Sequence, residues 1–212
     1  MAKLAQGILG GFRGKVGTVV GSFWKGVATI RAYVPNVTQP NSLAQLEQQA
    51  KFSAVINFLK PLTVFLRVGF KSLAVKMTEF NAAMAYNLDT AITGIYPNFT
   101  IDYPKAMVSR GNLAGALNAI AGSTVQGEIE FTWDNNSGID GSLPEDKVML
   151  VVYNPTKDHA ITVLGGNTRL SGSQAVPVPA SFAGDDVKCY IAFQDAKQTV
   201  VSNSTFAGSV VV

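Results

Sequence analysis

Residues 128–133 read EIEFTW and residues 148–153 read VMLVVY, and these two stretches decide the fold class. In the first, Ile129, Phe131 and Trp133 alternate with polar residues, which is the pattern of a strand with one face in a core. The second is apolar throughout, as expected of a central strand covered on both faces. The C-terminal part of the chain is therefore predicted to be all-β.

Further short strands are predicted around these two. Runs of β-forming residues bounded by turn residues occupy positions 160–164, 173–178, 187–193 and 205–212. Six or seven short strands in about 90 residues predict a two-sheet sandwich of the immunoglobulin or fibronectin III kind. In such a sandwich we expect Trp133 to anchor the core and the Tyr190 hydroxyl to bond to backbone near a corner.

The segment upstream of the sandwich is predicted to be helical. Ser42 with Gln45 three positions later forms a capping box, which starts a helix over about residues 42–60. Pro61 suits the first turn of a second helix that ends near residue 70. A third helix is predicted over residues 78–92, where apolar residues recur at helical spacing.

The first 35 residues are best interpreted as a β-hairpin. Residues 16–23 and 27–34 are rich in Val, Thr, Phe and Ile and flank Trp24-Lys25-Gly26. Glycines recur every three or four residues from Gly7 to Gly21, which would give a small-residue helical stripe, but each costs up to about 1 kcal/mol in a helix. The glycines are expected to mark turns or close backbone approaches.

These patterns predict an α+β protein with a boundary near residues 111–127. Residues 1–110 form a basic, glycine-rich hairpin and helical region, and residues 111–212 form an all-β immunoglobulin- or fibronectin III-like sandwich domain. The composition, 47% hydrophobic and 15% charged, is that of a packed protein. No secretion signal or membrane-spanning stretch is predicted, so we expect synthesis in the cytoplasm.

Charge is distributed unevenly along the chain. Residues 1–110 hold twelve Lys or Arg against four Asp or Glu, whereas residues 111–212 hold five against ten. Two interpretations follow: the basic half binds an anionic partner such as nucleic acid, or it meets the acidic half of another subunit. The bases form no run of five, which disfavours nucleic acid.

Three motifs are candidates for a nucleotide, calcium or catalytic site, and none of them matches the full pattern of such a site. Residues 10–17, GGFRGKVG, lack the first glycine and the Ser or Thr of a phosphate-binding loop. Asp134 and Glu145 are spaced as in a calcium loop, but Ile139 replaces its glycine. His159 and Cys189 lie 30 positions apart on different predicted strands, so a nucleophile pair is not expected. No enzyme activity, cofactor or metal is predicted.

The whole chain resembles an uncharacterised family of Bacteroidota genomes and some of their phages. The resemblance rests on GILGGFRGKVGTVVGSFWKGVATIR, QPNSLAQLEQQAKFSAVINFL, DKVMLVVYNP and SFAGDDVKCYIAFQDAK. Members show Asn-Pro before the first helix where this chain has Gln39-Pro40. The resemblance implies this architecture, a host range, and a role in virion or surface assembly, and it supplies no catalytic residues.

We therefore expect a structural protein, a phage virion or filament component, that self-associates through its N-terminal region. Its expected partners are copies of itself or other structural proteins of an assembly. One alternative is a glycan- or protein-binding adhesion module, and another is a nucleic-acid-associated protein. Seven residues are the candidate assembly or partner contacts: Phe12, Arg13, Lys15, Phe23, Trp24, Lys25 and Arg31.

Overall fold

The computed structural model of the protein describes residues 2–3, 12–35, 42–123, 125 and 127–212. Within these residues the chain forms a small N-terminal sheet, a layer of helices and a two-sheet sandwich. The predicted α+β class is confirmed. Gly7, Gly10 and the Gln39-Pro40 pair of the sequence analysis lie outside the described residues.

The N-terminal sheet has four antiparallel strands in the order β1-β4-β3-β2. The strands are β1 (Ala2–Lys3), β2 (Gly14–Val16), β3 (Val19–Trp24) and β4 (Val27–Ala32). The predicted hairpin is present as β3 and β4. Its turn residues, Lys25 and Gly26, have φ of 43° and 82°, as the favoured two-residue hairpin turn requires. Gly17 (φ 57°) begins a second turn that divides the first predicted strand.

Three helices follow, at the predicted places. They are α1 (Leu43–Leu59), α2 (Thr63–Gly69) and α3 (Glu79–Thr90). The predicted capping box is formed, because the Ser42 hydroxyl accepts from the Gln45 N–H and the Ser42 N–H donates to Gln45 Oε1 at 2.8 Å. Pro61 lies in a short 3₁₀ turn between α1 and α2. A hairpin of β5 (Ile92–Ile95) and β6 (Asn98–Ile101) then follows, which the sequence analysis did not predict.

Seven strands build the sandwich, and all six predicted there are confirmed. They are β7 (Leu117–Gly122), β8 (Glu128–Asp134), β9 (Lys147–Asn154), β10 (His159–Val163), β11 (Ser173–Pro177), β12 (Asp186–Gln194) and β13 (Thr205–Val211). One sheet has the order β11-β8-β7 and the other β10-β9-β12-β13, with antiparallel neighbours throughout. This is an immunoglobulin-like arrangement. The additional strand, β7, lies where the boundary was expected.

The first of two cores fills the space between the sandwich sheets. Phe131 and Trp133 of β8 meet Cys189, Ile191 and Phe193 of β12 there. The predicted anchor, Trp133, is buried, and its ring stands edge-on to that of Phe193 at 5.8 Å. The alternation of β8 therefore has the predicted cause, with apolar residues directed to the core and polar residues away from it.

The second core lies between the helices and the outer face of the sandwich sheet β10-β9-β12-β13. Met149, Val151 and Tyr153 of β9 face this core, whereas their neighbours in the strand face the sandwich interior. The unbroken apolar run of β9 is thus explained, because both faces are covered. Residues 1–110 and 111–212 share this core. Their division into two domains stays a prediction.

Tyr190 belongs to this second core. Its hydroxyl donates to the Tyr103 carbonyl at 2.9 Å, and the tyrosine is buried beside Phe58. The expected bond to backbone is present, but it reaches the segment that precedes the sandwich. Burial, followed by the nearby Tyr103 and Tyr153, raises the pKa of the Tyr190 phenol well above its usual range.

The segment Leu43–Gly69, which comprises α1 and α2, is long and apolar enough to cross a membrane by length and composition alone. In the fold its inner residues, among them Val55, Phe58 and Phe65, are buried in the core shared with the sandwich.

Candidate interaction surfaces

The strand register gives the N-terminal sheet two distinct faces. Lys15 of β2, Val20 of β3 and Arg31 of β4 lie opposite one another across the strands, so their side chains project from the same face. Alternation along β3 places Trp24 on this face as well. Both cations and the large aromatic residue therefore share one surface.

This surface, which we call the basic face, ends in aromatic residues. The Lys15 ammonium lies 3.5 Å from the centre of the Tyr33 ring, within the range of a cation–π contact. The exposed fraction of Trp24 is 62%. Ser22 and Thr29 share a hydroxyl–hydroxyl hydrogen bond of 2.6 Å between these ends. The basic face consists of Lys15, Val20, Ser22, Trp24, Val27, Thr29, Arg31 and Tyr33.

The opposite face is apolar. Val16, Val19, Phe23 and Ile30 belong to it, and both Val16 and Phe23 are exposed. Phe12 lies against Gly21, where a Cβ atom would stand 2.4 Å from the Phe12 carbonyl oxygen. Gly21 therefore permits a close backbone approach, which is the role expected of a glycine in a strand.

The seven predicted contact residues divide between these faces. Lys15, Trp24 and Arg31 are on the basic face. Phe12 and Phe23 belong to the apolar side, where the Arg13 guanidinium lies 5.5 Å from the Phe23 ring centre. The remaining residue, Lys25, is at the hairpin turn, and its ammonium donates to the Met77 carbonyl. Sequence reasoning missed Tyr33, although its spacing of two from Arg31 places it on the same face.

The N-terminal sheet lies apart from both cores. Among the described residues, neither core includes a side chain from this sheet. Its edge strand β2 pairs on one side with β3, and within the described chain its other side pairs with no strand. Within the described residues, both faces carry exposed side chains and one edge is unpaired, so they are available to a partner.

A second candidate surface is the end of the sandwich where three loops meet, which we call the loop end. The loops are residues 135–146, 164–172 and 195–204, together with the linker at 111–116. Buried Arg169 joins its own loop, residues 164–172, to the 135–146 loop and to the linker, because it donates to Asp146 Oδ2 at 3.2 Å, Asn136 Oδ1 at 2.5 Å and the Ala114 carbonyl at 3.0 Å. Burial lowers the pKa of the Arg169 guanidinium, and the facing Asp146 carboxylate opposes that shift.

A cavity of about 400 Å³ opens between these loops. Asp140, Glu145 and Asp195 line it together with apolar Leu143 and Val200, while Lys197 is the one base among its described lining residues. A cavity of about 160 Å³ adjoins it and is lined in part by Lys71, Asn112 and Gln194. The loop end thus combines carboxylates with an apolar floor.

The charges of these carboxylates are compensated to different degrees. Asp146 pairs with Arg169, whereas Asp140 and Glu145 form no ion pair with any described residue. Burial acts to raise the pKa of the Asp195 carboxyl, but hydrogen bonds from the Thr199 hydroxyl and from the Val200 and Thr199 N–H groups outweigh burial and lower it. Asp195 is therefore charged at neutral pH.

Most residues considered for chemistry serve structural contacts, whereas Glu145 of the calcium-like motif lines the loop-end cavity. Cys189 is buried in the sandwich core, where burial raises the pKa of its thiol to about 12. His159 is exposed at the start of β10, edge-on to Phe182 at 5.9 Å. Asp134 accepts a hydrogen bond from Asn118 at 2.7 Å. In the parts of the chain that the structure describes, no three His, Cys, Asp or Glu side chains are grouped to hold a metal.

Comparison with known families gives one match. The model of the family of unknown function DUF6266 covers residues 11–208, so the chain belongs to that family. The resemblance to an uncharacterised family is confirmed at this level. No curated protein matches the chain.

Proposed function

We propose that this member of the family is a non-enzymatic structural protein that self-associates through its N-terminal sheet, as a virion or filament component does. One observation carries the proposal: among the described residues, the sheet has exposed side chains on both faces and an unpaired edge, and it adds no side chain to either core. Exposed apolar surface on a sheet is stabilised when a partner removes it from water.

The exposed side chains of the sheet favour a protein partner. Trp24, Phe23, Tyr33 and Val16 are each between 43% and 63% exposed, which is a high concentration of large apolar residues for a region of this size. Aromatic and arginine side chains are the residue types that most often dominate protein interfaces. The open edge of β2 can add to the sheet of a neighbour.

Removal of the sheet tests the proposal most directly. We expect the full-length protein to form multimers and residues 35–212 to be smaller in light scattering at the same concentration. A full-length Trp24→Ser variant should also dissociate, and Ile95→Ser is its matched control, because Ile95 is 82% exposed on another hairpin. If full-length protein remains monomeric at high concentration, or if both point variants behave alike, the proposal is wrong.

The basic face supports nucleic-acid binding as a second candidate. Lys15 and Arg31 can neutralise phosphates, while Trp24 and Tyr33 can stack on bases of a single strand. This function predicts affinity that falls by roughly 1,000-fold or more between low and moderate salt if several phosphates are neutralised. It leaves the exposed apolar face unexplained, so we prefer the assembly function. Undetectable binding to single-stranded DNA and RNA at low salt would remove the nucleic-acid function.

The adhesion alternative would use the loop end instead. Its cavities are large enough for a small group of a glycan or a protein side chain. Carboxylates and amides there could bind hydroxyl groups, but no aromatic residue is among the described lining residues to stack on a sugar ring.

A further inference from the structure

We propose that the basic face of one copy binds the loop end of the next copy, so that the subunits join head to tail. This inference rests on the proposed self-association and names the surface that receives the N-terminal sheet. The contact uses two different patches of the same chain, and such an interface repeats into a ring or an open filament.

Charge complementarity is the first argument. The N-terminal sheet holds Lys15 and Arg31 on its basic face, and residues 12–35 contain no Asp or Glu at all. At the loop end, Asp140, Glu145 and Asp195 line a cavity whose described lining residues include one base, Lys197. Opposite potentials on two patches of one molecule steer copies together and exclude the like-charged orientations.

The uncompensated charges distinguish the loop end from the other acidic pair of the sandwich surface, Asp185 and Asp186. Asp185 and Asp186 of the sandwich already pair with Lys157 and Lys188. Asp140 and Glu145 have no such partner among the described residues. A cation from another copy would therefore meet a carboxylate that is free to pair with it.

The two patches also have complementary apolar residues, a projecting tryptophan on the sheet and an apolar cavity floor at the loop end. Trp24 projects at the tip of the hairpin with 62% of its surface exposed. In the cavity, Leu143 and Val200 are 51% and 43% exposed and form an apolar floor beside the carboxylates. A tryptophan seated in such a pocket, with charge pairs around it, is a typical centre of a protein interface.

The receptor is rigid enough to bind without large rearrangement. Arg169 ties its own loop to the 135–146 loop, and the Trp133 indole N–H donates to the Arg169 carbonyl at 2.8 Å from the sandwich core. Asp195 in turn fixes its own loop through bonds to Thr199 and Val200. Since the loops are already ordered, little conformational entropy is lost on binding.

Charge reversal on each patch tests the inference. Variant A carries Lys15→Glu and Arg31→Glu, and variant B carries Asp140→Lys and Glu145→Lys. Each alone should associate at least about tenfold more weakly than the wild type, since like charges then meet. An equimolar mixture should assemble again, because the acidic sheet of A fits the basic loop end of B. The control is Asp89→Lys with Glu128→Lys, which changes two exposed carboxylates elsewhere and should assemble as the wild type does.

The outcomes separate this inference from the proposed function. Circular dichroism establishes whether each variant is folded. If variant A is unfolded, Lys15→Gln with Arg31→Gln replaces it, and if variant B is unfolded, Asp140→Asn with Glu145→Gln replaces it. If residues 35–212 fail to assemble but variant B assembles normally, self-association stands and the loop end is not the receptor. A mixture of folded A and B that stays dissociated also overturns the inference. If truncation has no effect on assembly, both ideas fall.

Discussion

Truncation of Phe58 is expected to destabilise the helical layer and the sandwich together. Phe58 of α1 is 2% exposed and lies where these two parts meet. Its ring centre is 5.2 Å from that of Tyr153 in β9 and 6.3 Å from that of Tyr190 in β12. Tyr103, in the connection between them, is 5.9 Å away. Phe58→Ala would thus open a cavity in the core that both parts share.

The size of the effect follows from burial and from these ring contacts. A buried Phe→Ala change costs about 3–5 kcal/mol of unfolding free energy. Each well-placed aromatic pair adds about 0.5–1.5 kcal/mol beyond its buried area, so the upper half of that range is expected. With a urea slope of about 3 kcal/mol per M, the unfolding midpoint should fall by roughly 1–2 M.

Two spectroscopic probes can follow the two parts separately. In a Trp24→Phe background, the fluorescence of buried Trp133 reports on the sandwich, while far-ultraviolet circular dichroism at 222 nm reports mainly on the helices. We expect both transitions to coincide and to shift by the same amount in Phe58→Ala. Val64→Ala, at a site that is 59% exposed in α2, is the control and should change stability by less than about 0.5 kcal/mol.

A shift of the circular dichroism transition alone would refute this reasoning. It would show that the sandwich unfolds independently of the helices, as two domains divided at residue 110 would do. Coincident transitions mean instead that the sandwich sheet β10-β9-β12-β13 needs the helices to cover its outer face.

Three further changes test the loop end and the sandwich core. Arg169→Met leaves the buried Asp146 carboxylate without its cation and should cost about 3–5 kcal/mol in urea unfolding; adding Asp146→Leu should recover most of the loss, and additive losses would contradict this. Cys189→Ala should cost about 1 kcal/mol, and the native thiol should resist alkylation because burial raises its pKa to about 12, so rapid labelling would be inconsistent with the core position. The pKa of Asp195 is lowered in the folded state, so its contribution is present above the unfolded pKa of about 3.9 and is lost as pH falls through the folded value. The difference in stability between wild type and Asp195→Asn should therefore shrink below about pH 4, and a constant difference would exclude this linkage.

Local patterns in the sequence were sufficient to predict most elements of the fold. The capping box at Ser42, the alternation in β8 and the turn at Lys25-Gly26 each specify structure through neighbouring residues. Strand β7 was missed because its sequence, LNAIAG, has few β-forming side chains and is held in the sheet by pairing with β8. Tertiary pairing of this kind leaves little trace in a single sequence.

The candidate surfaces were predictable to different extents. The N-terminal contacts were found from their glycine, aromatic and basic composition, but the assignment of Lys15, Trp24 and Arg31 to one face needed the strand register. The loop end could not be predicted, because it gathers residues from loops about 60 positions apart in the sequence. Arg169 was the one residue of the loop end that its sequence context could have indicated. It is an arginine between two turns of an acidic, β-rich segment, and a buried arginine is usually paired with a carboxylate, here that of Asp146.

The positions of the two cores limit where a partner can bind. The sheet β10-β9-β12-β13 has one face against the other sheet and one face against the helices, so its broad surfaces are already covered. The N-terminal sheet and the loop end are among the surfaces left uncovered, and both carry exposed apolar side chains beside charges that form no ion pair with a described residue. Because neither patch supports a core through those side chains, their substitution should change assembly while leaving the unfolding midpoint nearly unchanged at concentrations too low for assembly. Substitution of Phe58 should do the reverse, and the two kinds of variant together separate binding from folding.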